Sequence, residues 1–183
     1  MALFETAVAL TLLEEGGFVH NTTTGEVANR GITLKLVRSL GYLKSTGPAT
    51  QADLEFMQSL SLEGTKDIYE QEFWPPIMDA IEVQVVANKV FDLWVNTGHG
   101  VIFLQEAINK IIDIPLVIDG LLGPKTIVAT NICACPPDAV GLMGARTTPT
   151  VSGFGIRGFA EIYYRSIPDP CGALPDWLAR LDK

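Results

Sequence analysis

The stretch IMDAIEVQVVANKVFDLWVN, residues 77–96, sets Ile77, Ile81, Val85, Val90, Phe91, Trp94 and Val95 along a segment too apolar for a surface position. It reads as a central buried helix. Trp74-Pro75-Pro76 ends whatever helix precedes it, and Gly98 closes it. A chain built around such a helix must cover it with further helices or with a sheet. Strand signals are weak apart from a possible hairpin within residues 17–32. The expected fold is therefore a mainly α, helical single domain with a small irregular β-hairpin at its mouth. Gln84, Asn88, Asp92 and Asn96 follow one another at steps of four and form one polar row. Gln84 and Asn88 are read as its solvent side. Asn96, directly before Thr97-Gly98-His99-Gly100, suits a groove lining and a helix cap equally.

The other elements follow from spacing and caps. MALFETAVALTLL places Leu3, Phe4, Ala7, Val8, Leu12 and Leu13 at helical intervals, giving a first helix up to about Glu15 with Gly16 as a left-handed C′ residue. Thr33 caps a short helix through Val37 and Leu40 that stops at Gly41. Thr50, with Asp53 three positions on, approximates a capping box for a helix through Leu54 and Met57. Ser61 starts the next helix. A further helix runs through Ile102, Leu104, Ala107, Ile108 and Ile111, and a last pair covers about 155–166 and 174–182. Residues 136–153, rich in Pro, Gly, Thr and Ser, read as a long loop.

The end of the first helix is chemically odd. Glu14 and Glu15 stand where the negative end of the helix dipole disfavours a charged carboxylate, and where Lys or Arg would stabilise. Continuing the apolar arc from Phe4 and Val8 carries it onto Glu15, although Glu14 borders the same wide arc through Leu3 and Ala7. Such a placement suits a carboxyl that must hold a proton, and equally a frayed, exposed helix end.

Composition removes several function classes. The net charge of −8 and the lack of a Lys/Arg stripe leave no electrostatic basis for nucleic-acid binding. Cys133, Cys135 and Cys171 form no disulfide framework, and Cys133-x-Cys135 has no neighbouring histidine, so neither a metal nor any other cofactor is expected. The first segment carries three glutamates and no basic start, so it is not read as a secretory signal, and stable membrane insertion is not expected. DGLLGPKT, residues 119–126, fails as a phosphate loop because Pro124 separates Gly123 from Lys125.

Several segments together resemble one family. Glu15-Gly16-Gly17-Phe18-Val19 followed by Asn29-Arg30-Gly31-Ile32-Thr33 is similar to the Glu-Gly-Gly-Tyr and Thr-Asn-x-Gly-Ile-Thr signature of glycoside hydrolase family 108, the phage and bacterial muramidases. IYEQEFWPP, KVFDLWVNTGHG, FLQEAIN and IDGLLGPKTIVATN resemble the family's middle and its peptidoglycan-binding-like C-terminal part, and RGFAEIYY and LPDWLARL its closing pattern. The resemblance implies a lysozyme-like fold, with residues 1–118 catalytic and 119–183 peptidoglycan-binding-like. It implies cleavage of the β-1,4 bond between N-acetylmuramic acid and N-acetylglucosamine, and it carries the general-acid role onto Glu15. The alternative is a catalytically impaired wall-binding or assembly module with the same fold.

Two departures bear on that alternative. The loop HNTTTG lacks the family's usual aspartate, and Ala28 replaces the threonine before Asn29. Glu26, the only acid inside the loop, becomes the candidate second carboxylate. Asn29, Tyr69, Asn96 and His99 are candidates to contact the sugars, with Tyr69 as readily a core residue. The implied partner is bacterial peptidoglycan. A chain made in the cytoplasm without a signal would reach it, in the periplasm or wall, through a membrane-permeabilising, holin-like release partner, or as a delivered effector with a neutralising immunity partner.

Overall fold

The computed structural model of the chain describes residues 1–112, 115–134, 140–143, 155–167 and 174–182. These fall into two compact units, one formed by Val8–Glu72 and the other by Met1–Ala7 with Phe73–Lys183. Helix α1, Phe4–Glu14, begins in the second and ends in the first.

In the unit Val8–Glu72, α1 leads into a three-stranded antiparallel sheet of β1 (Val19–Asn21), β2 (Glu26–Asn29) and β3 (Ile32–Thr33), in that order. The hairpin expected from the sequence is its first two strands. Val19 pairs with Ala28 and Asn21 with Glu26, while Ala28 pairs with Thr33 and Asn29 with Ile32. Asn21 shapes the first turn, its side-chain oxygen accepting from the amides of Thr23 (3.0 Å) and Thr24 (3.1 Å). Helices α2 (Leu34–Ser39), α3 (Gln51–Ser59) and α4 (Leu62–Phe73) follow.

Both caps read from the sequence are present. Thr33 accepts from the Leu36 amide, and Thr50 and Asp53 form a reciprocal capping box. Asp53 does more than cap. Its buried carboxylate also accepts from Arg38 Nη2 (2.9 Å) and from the Ser45 hydroxyl. The Ser45 hydroxyl foremost, then Thr50 and Arg38, hold this carboxyl well below the usual carboxylate range, with burial acting the other way. A carboxylate whose folded value is lowered stabilises the fold above its unfolded value of about 3.9, and that contribution disappears as pH falls through the folded value. Asp53→Asn should therefore lower the thermal midpoint at pH 7, with the gap to wild type closing as the medium is acidified below about pH 4. Melts from pH 7 to pH 2 check this; a gap independent of pH would assign the loss to geometry alone.

In the second unit a 3-10 turn, Pro76–Ala80, precedes α5 (Gln84–Thr97). The central helix thus starts later than its apolar pattern suggested, because Pro75 and Pro76 fix the intervening residues in the tighter turn. Val86, Ala87, Val90, Phe91 and Leu93 of α5 are buried, and Gly98 closes the helix in a left-handed conformation (φ 73°). Phe4, Trp74 and Phe91 meet edge to face, with centroids 5.7–5.9 Å apart.

Helices α6 (Gly100–Ile108), α7 (Pro124–Cys133), α8 (Val140–Met143), α9 (Ile156–Ser166) and α10 (Leu174–Arg180) complete this unit. A β-carbon on Gly100 would strike the Val90 carbonyl and lie 2.6 Å from Trp94 N, so only glycine lets α6 start against the backbone of α5. Helix α8 lies inside the segment expected to be a loop; the rest of 136–153, with Cys135 and Cys171, lies outside the described residues. No helix of the described residues is long and apolar enough to cross a membrane.

The polar row of α5 is corrected by its partners. Gln84 exchanges hydrogen bonds with the Leu3 backbone and donates to Asn88 (2.6 Å). Asp92 is buried and paired with Arg180 (2.9 Å) and Lys89 (3.7 Å), while Lys89 Nζ donates to the Arg180 carbonyl. Burial pushes the Lys89 ammonium below its usual range, against the attraction of Asp92. The row thus ties the N-terminal residues and α10 to α5; Gln84 and Asn88 are half-buried, Asp92 is buried and Asn96 is exposed.

Candidate active site

The face that α1 buries is narrower than the sequence pattern implied. Ala7, Val8 and Thr11 are buried, whereas Leu3 and Leu13 are 62% and 79% exposed. The buried residues Ala7, Val8 and Thr11 leave Glu14 and Glu15 on either edge of that face, and both are half-buried. Glu14 is the last helical residue and Glu15 lies just beyond it, half-buried. Gly16 does not take the left-handed conformation expected of it.

What receives Glu15 is the turn between β2 and β3. Asn29 and Ile32 pair across two intervening residues, Arg30 (φ 48°) and Gly31 (φ 77°), both left-handed as a type I′ hairpin turn requires. A left-handed arginine is strained by about 1 kcal/mol or more and needs external support. It has two ties: Arg30 Nη1 donates to the Leu60 carbonyl (2.7 Å), and the Tyr69 hydroxyl donates to the Arg30 carbonyl (2.8 Å).

The absence of a side chain at Gly31 opens the space that the site uses. A β-carbon there would stand 2.6 Å from Glu15 Oε2 and 2.7 Å from Glu15 Cδ, with the Tyr69 hydroxyl closer still. The Glu15 carboxyl and the Tyr69 hydroxyl therefore converge on the bare α-carbon of Gly31. One helix end, one strained turn and one fully buried tyrosine of α4 meet at a single point.

The remaining residues singled out from the sequence are distributed differently. Tyr69 has no exposed surface, so it fixes the turn and offers no open ring face to a sugar. Asn29 is buried and commits its side-chain N–H to the Met57 carbonyl (2.7 Å), tying β2 to the last turns of α3. Glu26 is exposed at the start of β2, about 10 Å along the strand from Asn29. It borders a cavity of about 360 Å³ between the hairpin residues Gly25, Glu26 and Val27 and the α2 residues Leu34, Lys35 and Arg38.

Asn96 and His99 belong to the other unit. The Asn96 amide donates to the Asp92 carbonyl (2.7 Å). His99 precedes α6, its amide donating to Thr97 Oγ1 (2.9 Å), and its ring forms a three-membered cluster with Phe103 and Tyr163, with centroids 5.9 and 4.7 Å from its own and 5.7 Å from each other. Among the described residues no group of three or more His, Cys, Asp or Glu is arranged to hold a metal ion.

Residues 8–98 match the family model described as Glycosyl hydrolase 108. Among solved structures, that of Brucella abortus SagA is similar, with a TM-score of 0.72 and 19% identity over 98% of this chain and 89% of that one. At that identity the likeness speaks for the fold, which is mainly helical and lysozyme-like with a small three-stranded sheet. No curated protein is significantly similar in sequence.

Proposed function

Through residues 8–98 this chain belongs to the glycosyl hydrolase 108 family, and from that premise we propose that it cleaves the β-1,4 bond between N-acetylmuramic acid and N-acetylglucosamine in peptidoglycan, with Glu15 as the general acid. The observation that carries this reading is the convergence of the Glu15 carboxyl and the Tyr69 hydroxyl on Gly31. Glycosidic cleavage requires a carboxyl held at a fixed angle to the leaving oxygen. A carboxyl packed over a glycine α-carbon, beside a hydroxyl that is itself anchored, has that fixity without a covering side chain. No basic residue occupies the last turn of α1.

A second carboxylate must act on the attacking water or on the sugar itself. Glu26 fills this role in our reading. Glu26→Gln is expected to lower turnover by about 100-fold or more while leaving sedimentation with sacculi unchanged; wild-type turnover would make Glu26 an ordinary turn residue.

Residues 119–183 are read as adding wall affinity. The backbone of Asp119 and Gly120 donates to Gln105 Oε1 of α6 (3.1 and 2.9 Å), so exposed-surface variants probe this better than truncation. Delivery to the wall by a membrane-permeabilising partner belongs to the same reading. The bond is tested by incubating the protein with purified sacculi, reducing the products with borohydride and weighing the fragments. Reduced muramic-acid ends support the assignment. Reduced glucosamine ends, or sedimentation without release, count against it.

A further inference from the structure

The cavity beside Glu26 has a polarity that the catalytic reading does not use. Its floor is apolar, with Val27 and Leu34 buried. Two cations border it, but only one is available. Arg38 donates to Ser45 Oγ (3.1 Å), the Gly47 carbonyl (2.8 Å) and Asp53 (2.9 Å), so its guanidinium is fully engaged. Lys35 is exposed and makes no ion pair or side-chain hydrogen bond among the described residues. Glu26, on the hairpin side, likewise makes no ion pair among them.

We propose that this cavity holds the stem peptide of peptidoglycan, with a peptide carboxylate on Lys35 Nζ and an alanine methyl on the Val27–Leu34 floor. The proposal rests on the muramidase reading: the stem hangs from the same muramic acid whose anomeric carbon reacts, so with Glu26 as the second carboxylate the cavity that Glu26 borders is the one within reach of the stem. The chemistry matches in both respects, because stem peptides carry free carboxylates and methyl side chains in alternation. A stripped strand keeps the lactyl methyl and gains a lactyl carboxylate, but both sit directly on the muramic-acid ring. The stem's own carboxylates stand several bonds farther out, so the two substrates differ in where the anion lies. Lys35 is then a specificity-determining residue that distinguishes peptide-bearing glycan from stripped strands.

The test compares kcat/KM on intact glycan strands with that on strands stripped of stem peptides by an amidase. Lys35→Met is expected to lose about tenfold on intact strands, the scale of one charge-assisted hydrogen bond, and nothing on stripped ones. Lys35→Arg should retain most of the preference, and Lys44→Met, which removes an exposed lysine away from the cavity, should change neither substrate. Equal losses on both substrates, or no loss on either, overturn the proposal.

Binding is read separately from turnover by titrating L-alanyl-γ-D-glutamyl-L-lysine and following the amide resonances of Gly25, Val27 and Leu34. Saturable shifts in the wild type that vanish in Lys35→Met support the site, and their absence in the wild type sinks it even if glycan is cleaved. A protein that binds the tripeptide yet cleaves neither substrate would remove the muramidase reading and leave the peptide site standing.

Discussion

Glu15→Gln is expected to abolish release of fragments from sacculi, by about a thousandfold or more, while the thermal midpoint stays near that of the wild type. The amide has the carboxyl's shape, so it keeps the packing over Gly31 and beside the Tyr69 hydroxyl. It cannot transfer a proton to a leaving oxygen. That combination separates chemistry from folding, which an alanine at this half-buried position would confuse. Glu14→Gln is the informative neighbour. Glu14 is the last residue of α1 and is half-buried like Glu15, but the carboxyl against Gly31 is that of Glu15, so the Glu14 amide variant should lyse at the wild-type rate. Full activity in Glu15→Gln, or equal losses in both variants, would remove Glu15 from the acid role. Fragment release measured against a circular-dichroism melt of each variant decides between these outcomes.

Features that depend on neighbours in sequence were readable before any coordinates. The Thr50–Asp53 capping box, the Thr33 cap and the Gly98 stop all formed where their residue types placed them, because each satisfies backbone groups within one turn. Helix α7 carries its own signal, Pro124 at the first helical position after Gly123, within the segment that fails as a phosphate loop. Periodicity shows which residues share the polar row of α5 and not what the row meets: Gln84, which bonds the Leu3 backbone, and Asn88 are half-buried, while Asp92 is buried. Buried Asp92 is paired with Arg180, 88 positions away, a partner that no local pattern signals.

The site was legible in part for the same reason. Periodicity leaves Glu14 and Glu15 open, and burial does too, since both are half-buried; what sets Glu15 apart is its approach to Gly31, which no local pattern signals. Arg30 gave no local hint of a left-handed conformation, since turns of this type favour Asn or Gly there. Its strain is supported by Leu60 and Tyr69, tens of residues downstream. Tyr69 was readable as aromatic and as near the site, but its role as a clasp needed the fold.

Gly31→Ala should be the most damaging single-methyl change in the unit Val8–Glu72. Two costs combine. A left-handed φ of 77° burdens any β-carbon by about 1–2 kcal/mol. The added carbon also lands on Glu15 Oε2, Glu15 Cδ and the Tyr69 hydroxyl, an overpacking worth about 1–3 kcal/mol more if the neighbours yield. Either the Glu15 carboxyl is displaced or the turn lifts from Tyr69, and both would move Glu15 from the position that the proposed acid role requires. A displacement near 1 Å at a reacting group costs about 100-fold in rate, so turnover should fall by at least that much. Gly47→Ala isolates the backbone contribution, because Gly47 has the same φ of 77° with nothing within 4 Å of its missing β-carbon. That variant should lose only the left-handed penalty and keep its turnover. Chemical denaturation and fragment release, measured on both, separate strain from collision. If the two variants proved equally stable and equally active, the close approach at Gly31 would not be what positions Glu15, and the clasp of helix end, turn and tyrosine would be packing without catalytic consequence.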